Sequence, residues 1–132
     1  MTVIADPRFI FLVEDDADIR DSVVEALEDE GYRVTAAANG LEALERLQNE
    51  DLHPDLILLD VMMPVMDGWG FRAEQQKIPA LASTPVLVFS AYNLPNDAVA
   101  QLNAAGILKK PFSFNDLLDT LERLLGAREQ VR

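Results

Sequence analysis

The tetrapeptide LILL at residues 56–59, followed by Asp60, decides the fold. Four consecutive aliphatic residues are typical of a strand buried on both faces, as the strands of a parallel sheet are. Similar apolar runs stand before it at residues 9–13 (FIFLV) and after it at residues 85–89 (PVLVF). The three runs therefore predict the centre of a parallel sheet.

Two weaker strand candidates, at residues 32–37 and 107–108, bring the number of predicted strands to five. Helical patterns follow the strands, and cap signals precede two of them: Asn39, and Ser113 with Asp116. Five strands alternating with five helices predict an α/β protein, a doubly wound (βα)5 parallel sheet with helices on both faces.

Length and charge restrict the class of protein. The chain has 132 residues, which is close to one domain; we expect a domain at residues 8–126 and short flexible tails at 1–7 and 127–132. A formal net charge of −12 argues against binding to nucleic acid or to an anionic membrane surface. The absence of cysteine and the single histidine exclude thiolate and multi-histidine metal sites. No signal peptide or membrane span is visible, so a cytoplasmic protein without membrane insertion is expected.

Polar residues follow four of the five predicted strands. Glu14 and Asp15 follow the first, Asp60 the third, Ser90 the fourth and Lys110 the last. In open parallel sheets, sites form beyond the carboxyl ends of the strands. We therefore expect these five side chains to meet at one edge of the sheet.

Clustered carboxylates repel one another unless a cation joins them, and Mg²⁺ suits a site with few carboxylates and several waters. A lysine and a hydroxyl beside such a metal are the groups that phosphoryl transfer uses. One carboxylate could itself be the nucleophile and form an aspartyl phosphate.

Four sequence motifs carry a family resemblance: Glu14-Asp15, LLDVMMPVMDG at residues 58–68, Ser90-Ala91 and Lys110-Pro111-Phe112. In this order and at these strand ends, they resemble the receiver domain of two-component response regulators. The resemblance covers residues 8–126. It implies a flavodoxin-like fold with strand order 2-1-3-4-5 and signalling by phosphorylation.

The resemblance also implies a role for each matching residue. Asp60 matches the phosphoacceptor, which takes a phosphoryl group from a phosphohistidine. Asp15 matches a direct Mg²⁺ ligand, Glu14 an acid that binds the metal largely through water, and the backbone carbonyl of Met62 a third protein ligand. Lys110 matches the lysine that pairs with the phosphoryl group.

Ser90 matches the hydroxyl that moves toward the phosphoryl group. The implied partners are a histidine kinase or a histidine phosphotransfer protein, and a downstream protein that the sequence does not identify. With no output domain expected after Gly126, the chain is expected to act alone, as a monomer or weak dimer. It is not expected to be an enzyme, apart from catalysing its own phosphorylation and dephosphorylation.

Two features bear on how the switch works. Ile107 stands where the family usually has an aromatic switch residue, so we expect either that activation relies on backbone movement around residues 90–94 or that the output face differs. Met62 and Tyr92 stand two residues after Asp60 and Ser90, at positions that the resemblance implies flank the path of an attacking water. Both are bulky and unable to orient an attacking water, which predicts slow self-dephosphorylation.

Several alternatives stay open at this point. Asp15 or Asp16 can serve merely as a helix cap. The chain can be an unphosphorylated pseudo-receiver, although its complete set of site residues argues against this. A phosphatase of the aspartyl-phosphate type usually needs a second Asp where Met62 stands. A flavodoxin-like electron carrier would have Ser and Thr, not acids, after its first strand.

Overall fold

The computed structural model describes residues 3–4, 7–61, 63, 65–90, 96–109, 112–126 and 130–131. The described residues form seven strands: β1 (Val3–Ile4), β2 (Phe9–Val13), β3 (Arg33–Ala37), β4 (Leu56–Asp60), β5 (Val86–Ser90), β6 (Gly106–Lys109) and β7 (Gln130–Val131). The helices are α1 (Ala17–Asp29), α2 (Gly40–Asn49), α3 (Gly68–Gln76), α4 (Asn96–Leu102) and α5 (Phe114–Leu125).

The central sheet has five strands in the order β3-β2-β4-β5-β6, and every neighbouring pair is parallel. Counted along the chain among these five strands, the order is 2-1-3-4-5, and this confirms the predicted fold. Val13 pairs with Leu59, and Asp60 pairs with Phe89. The carboxyl ends of β2, β4 and β5 therefore lie side by side.

Helices cover both faces of the sheet because neighbouring side chains along each strand point to opposite faces. Ile10 and Leu12 of β2 pack with Leu27 of α1 and Leu117 of α5. Phe11 and its counterparts on the other face pack with residues of α2, α3 and α4. Those residues include Leu44, Leu47, Phe71 and Leu102.

The predicted caps are present at both helices. The side chain of Asn39 accepts a hydrogen bond from the backbone N–H of Glu42 at 2.8 Å. Ser113 and Asp116 form a reciprocal capping box, with distances of 3.0 and 3.3 Å. These bonds satisfy backbone N–H groups that the first turn leaves without partners inside the helix. The start of each helix is therefore encoded locally.

The two ends of the chain contribute one short strand each. Val3 pairs with Val131 and Ile4 with Gln130 in an antiparallel ribbon, within segments that the sequence predicts to be flexible tails. A two-stranded ribbon of this length is marginal by itself. The domain bounds at residues 8–126 stay a prediction. No helix formed by the described residues has both the length and the apolar character needed to cross a bilayer.

Candidate functional site

Three carboxylates meet at the carboxyl edge of the sheet. Glu14 and Asp15 follow β2, and Asp60 is the last residue of the neighbouring strand β4. One carboxylate oxygen from each residue lies within 4.8 Å of the other two. Glu14 is fully buried and Asp60 is 4% exposed, whereas Asp15 is exposed. The predicted convergence of these three acids is therefore present.

The backbone of Glu14 is held at the end of the sheet. Its N–H donates to the carbonyl of Ala37, the last residue of β3, at 3.1 Å. Its carboxylate accepts a hydrogen bond from the backbone N–H of Asp16 at 3.3 Å. These two bonds set the direction in which the chain leaves β2 and keep the Glu14 carboxylate at the strand end.

The cap of α1 is Asp16, whose carboxylate accepts from the N–H groups of Asp18 and Ile19 at 2.9 and 3.1 Å. The sequence left either Asp15 or Asp16 as the possible cap, and the structure selects Asp16. The N-terminus of α1 therefore does not use Asp15, and its carboxylate instead belongs to the acidic cluster.

A cation that the sequence analysis missed stands beside the cluster. Nη1 of Arg20 donates to the backbone carbonyls of Glu14 at 2.9 Å and Asp15 at 3.5 Å. Arg20 thus brings a positive charge near the acids while binding their backbone rather than their carboxylates. The position of Arg20 in the sequence could have indicated this contact, because a residue one turn into α1 lies close to the end of the preceding strand.

The segment after Asp60 is closed against α3. The N–H of Val61 donates to the carbonyl of Phe89 at 3.2 Å, and the N–H of Gly68 donates to the carbonyl of Val61 at 2.9 Å. Asp67 caps α3 by accepting from the N–H of Gly70 at 2.9 Å. The segment that follows Asp60 therefore leads directly into the capped start of α3.

A side chain at position 68 would disturb this closure. A Cβ on Gly68 would lie 3.0 Å from the Cα of Val61, which is backbone and has little room to yield. Met63 and Met66 pack into or against the apolar core on this side of the sheet.

Four of the predicted site and switch residues lie wholly or partly outside the residues that the structure describes. Ser90 ends β5 opposite Lys109 of β6, but its side chain lies outside the described residues, as do Met62, Tyr92 and Lys110 altogether. Their assigned roles stay predictions. Ile107 lies on β6 and is 38% exposed.

The acidic cluster has the donor set that Mg²⁺ prefers. Its groups are all carboxylate oxygens, and two of the three residues are buried, where like charges repel most strongly. A divalent cation removes that repulsion, and Mg²⁺ is typically held by one or two carboxylates together with waters. Glu14, Asp15 and Asp60 therefore fit Mg²⁺.

The fold and this cluster agree with what comparison with known proteins shows. The family model of the response regulator receiver domain matches residues 10–122. The chain belongs to this family, whose members act in two-component systems through phosphorylation and interact with histidine kinases or phosphotransfer proteins.

Relatives of similar length support the assignment. The response regulator receiver protein CpdR of Brucella abortus is 41% identical over 119 residues, which cover 89% of this chain and 97% of CpdR. The structure of the chemotaxis protein CheY4 of Vibrio cholerae superimposes with a TM-score of 0.83 at 34% identity, covering 91% of this chain and 100% of CheY4.

A third relative bears on the metal. The receiver domain of the sensor histidine kinase PA1611 of Pseudomonas aeruginosa has a magnesium ion coordinated in its active site cleft. It is 32% identical, with a TM-score of 0.79 and coverage of 92% of this chain and all of that one. Receiver domains thus bind Mg²⁺ in an acidic pocket.

Other relatives are longer than this chain. The response regulator Rre1 of Synechocystis is 35% identical over 130 residues, which cover 96% of this chain and 55% of Rre1. The chain therefore spans about half the length of such relatives, and their names describe larger proteins.

Proposed function

We propose that this chain is a stand-alone receiver that accepts a phosphoryl group on Asp60 in a Mg²⁺-dependent reaction. The observation that carries the proposal is the cluster of Glu14, Asp15 and Asp60, whose carboxylate oxygens lie within 4.8 Å of one another. The match to CpdR over 97% of its length supports a receiver that acts without an attached output domain.

The proposed step forms one bond and breaks one. An oxygen of the Asp60 carboxylate attacks the phosphorus of a phosphohistidine, the P–N bond breaks with its electrons on the imidazole, and an acyl phosphate remains on Asp60. Glu14, Asp15, Asp60 and the carbonyl of Met62 are the groups proposed to hold Mg²⁺. When bound, the ion neutralises the charge that gathers on the phosphoryl oxygens.

Ser90 and Lys110 complete the proposed site. The hydroxyl of Ser90 donates a hydrogen bond to a phosphoryl oxygen, and the ammonium group of Lys110 pairs with the phosphoryl charge. Both residues directly follow or end strands at the same sheet edge. In the proposed site, the ammonium group of Lys110 therefore offsets the repulsion between the carboxylates and the negatively charged phosphoryl group.

The output of the proposed reaction is a signal rather than a released product. We propose a cytoplasmic protein that, once phosphorylated, binds a downstream protein or passes the group onward in a relay, and that is not an enzyme toward other substrates. Its donor is a histidine kinase or a phosphotransfer protein, it binds no nucleic acid, and it acts as a monomer or weak dimer. The charge of −12 supports the absence of nucleic acid from this set of partners.

Incubation with acetyl phosphate and Mg²⁺ tests the proposal. Intact-mass measurement should show one added phosphoryl group that is stable in acid and labile in base, and chelation of Mg²⁺ should prevent its formation. Asp60→Asn should form no adduct, whereas Asp119→Asn, at an exposed acid of α5, should react like the wild type. An adduct of equal yield on Asp60→Asn, or none on the wild type, would refute the proposal.

A further inference from the structure

One positive charge is buried between α3 and α4. Arg72 lies on the second turn of α3 and is 7% exposed. Its guanidinium group forms no ion pair with any carboxylate of the described residues. Burial lowers the pKa of Arg72 from its ordinary value, yet an arginine stays protonated at neutral pH. A buried cation without a counter-ion must be stabilised in some other way.

Carbonyl groups at the end of α4 provide that stabilisation. Nε of Arg72 donates to the carbonyl of Leu102 at 2.8 Å, and Nη2 donates to the carbonyl of Asn103 at 2.9 Å. The last carbonyls of a helix lack partners within it and carry the negative end of the helix dipole. Asn103 leaves the helix with φ 49°, a left-handed conformation typical of helix ends. Arg72 therefore caps α4 from the neighbouring helix.

A third contact of Arg72 extends this network toward β5. Nη1 donates to Oε1 of Gln75 at 2.6 Å, and Nε2 of Gln75 donates to the carbonyls of Leu81 at 2.8 Å and Thr84 at 3.1 Å. Gln75 is fully buried. One continuous set of hydrogen bonds therefore joins α3, the end of α4 and the segment that leads into β5.

The first residue of α3 contacts the segment that follows Asp60. Gly68 donates to the carbonyl of Val61 at 2.9 Å and approaches its Cα so closely that a Cβ would lie 3.0 Å away. Arg72 stands four residues further along the same helix. The helix that contacts the segment after Asp60 at its first residue therefore also bears the guanidinium group that binds the end of α4.

The contact between α3 and α4 is interrupted beside Arg72. A cavity of about 220 Å³ lies beside Arg72 and is lined by Trp69 and Gln76 of α3 and Gln101 of α4, among others. The end of α4 is held by Leu102, which is buried in the same core cluster as Phe71 of α3, and by the two hydrogen bonds from Arg72. The cavity leaves room for the helix end to shift.

We propose that Arg72 is a positioning residue that couples the segment after Asp60 to the C-terminal end of α4. The capping of α4 is independent of the proposed function, whereas the coupling to phosphorylation rests on it. The two halves of the proposal are therefore tested separately.

Hydrogen exchange without a phosphodonor tests the capping. In Arg72→Met, amides in a peptide covering residues 96–109 should exchange about tenfold faster or more, while those of β4 remain protected. Arg72→Lys keeps the charge without the planar fork and should give an intermediate increase, which also serves if Arg72→Met does not fold.

Gln75→Met is the matched control, since it changes a buried residue of similar size on the same helix and leaves both bonds from Arg72 to α4. In Gln75→Met, faster exchange should occur at residues 78–86 and should not occur in α4. Unchanged exchange of α4 in both Arg72 variants, or an equal increase in Gln75→Met, would overturn the proposal.

The coupling is tested with acetyl phosphate and Mg²⁺. Phosphorylation should change the exchange of residues 96–109 in the wild type, and in Arg72→Lys this change should fall to about half or less at equal adduct yield. No change in the wild type, or a change as large in the variant, overturns the coupling. Should the wild type form no adduct on Asp60, the proposed function fails and the coupling with it, while the capping is judged by the first experiment alone.

Discussion

Among the residues that the structure describes, charge is buried in two regions, and they differ in how that charge is satisfied. At the sheet edge, Glu14 and Asp60 are buried together with one sign of charge, beside the exposed Asp15. Between α3 and α4, Arg72 is buried alone and donates to two backbone carbonyls and to Gln75. The first region gathers carboxylates whose oxygens fit a divalent cation, whereas the charge of the second donates to acceptors within the chain.

This difference distinguishes a candidate metal site from a structural connection. Like charges that converge at strand ends cost folding free energy, and a protein keeps them where a ligand removes the repulsion. A buried cation bound to neutral acceptors instead links segments that would otherwise move independently. Neutralising a charge should therefore have opposite effects on stability in the two regions.

The largest expected effect is at Arg72. Arg72→Met leaves the carbonyls of Leu102 and Asn103 and the amide of Gln75 without their donor, and an unsatisfied buried acceptor costs about 1–3 kcal/mol. Since the adjoining cavity can admit water, we expect a total loss of about 2–3 kcal/mol in the free energy of unfolding.

Urea denaturation of Arg72→Met measures this loss. Arg123→Met, at an exposed position of α5, is the control and should stay within about 0.5 kcal/mol of the wild type. Equal free energies of unfolding for Arg72→Met and Arg123→Met would mean that the buried contacts of Arg72 add no more to stability than a surface arginine does.

The opposite sign is expected at the acidic cluster. Without Mg²⁺, Asp15→Asn removes one of three repelling carboxylates and should raise the free energy of unfolding. The increase should be only about 0.5–1 kcal/mol, because Asp15 is exposed and solvent screens its repulsion. With Mg²⁺ at ten times its dissociation constant, the wild type should gain about 1.4 kcal/mol and the variant much less.

Thermal and urea unfolding with and without Mg²⁺ provide both measurements. Asp21→Asn, at an exposed acid of α1, should respond to Mg²⁺ like the wild type. If Mg²⁺ leaves the stability of the wild type unchanged, the three carboxylates do not form a metal site, and the contrast between the two regions is lost.

The acidic cluster could be predicted from sequence because its placement depends on strand ends alone. An aliphatic run such as residues 56–59 marks a buried strand, and parallel strands place the residues that follow them at one edge. The choice between Asp15 and Asp16 as the helix cap was not decided, because both have the same side chain and differ by one residue in position. Only the backbone geometry at the start of α1 selects Asp16.

The network of Arg72 and Gln75 could not be predicted in the same way. Polar residues three apart on a short helix usually indicate an exposed face. Their burial depends on the position of α4, which reaches this helix only through the crossover after β5, and on backbone carbonyls, which no sequence pattern reveals. Local patterns therefore predicted the five strands of the central sheet and the caps of α2 and α5, whereas tertiary contacts decided which polar residues are buried.

An exposed ion pair provides a third case, with the smallest expected effect. Nε of Arg46 lies 2.8 Å from Oε2 of Glu50, and the two side chains are 34% and 48% exposed. The hydrogen bond from Arg46 lowers the pKa of Glu50 from its ordinary value. Since the unfolded chain then binds the proton more tightly, Glu50 stabilises the fold above its unfolded pKa, and this contribution is lost as the pH falls through the folded pKa.

Glu50→Gln measures that contribution as the difference in unfolding midpoint from the wild type. The wild type should be slightly more stable at pH 7, and the difference should vanish as the pH falls through the folded pKa of Glu50 or as salt screens the pair. Glu45→Gln, on the same helix and without an ion pair among the described residues, should show no such dependence. Two results would contradict this account: a difference in unfolding midpoint that grows in acid, or a loss of stability as large as that of Arg72→Met. Either would mean that burial does not determine how strongly a charge affects the stability of this fold.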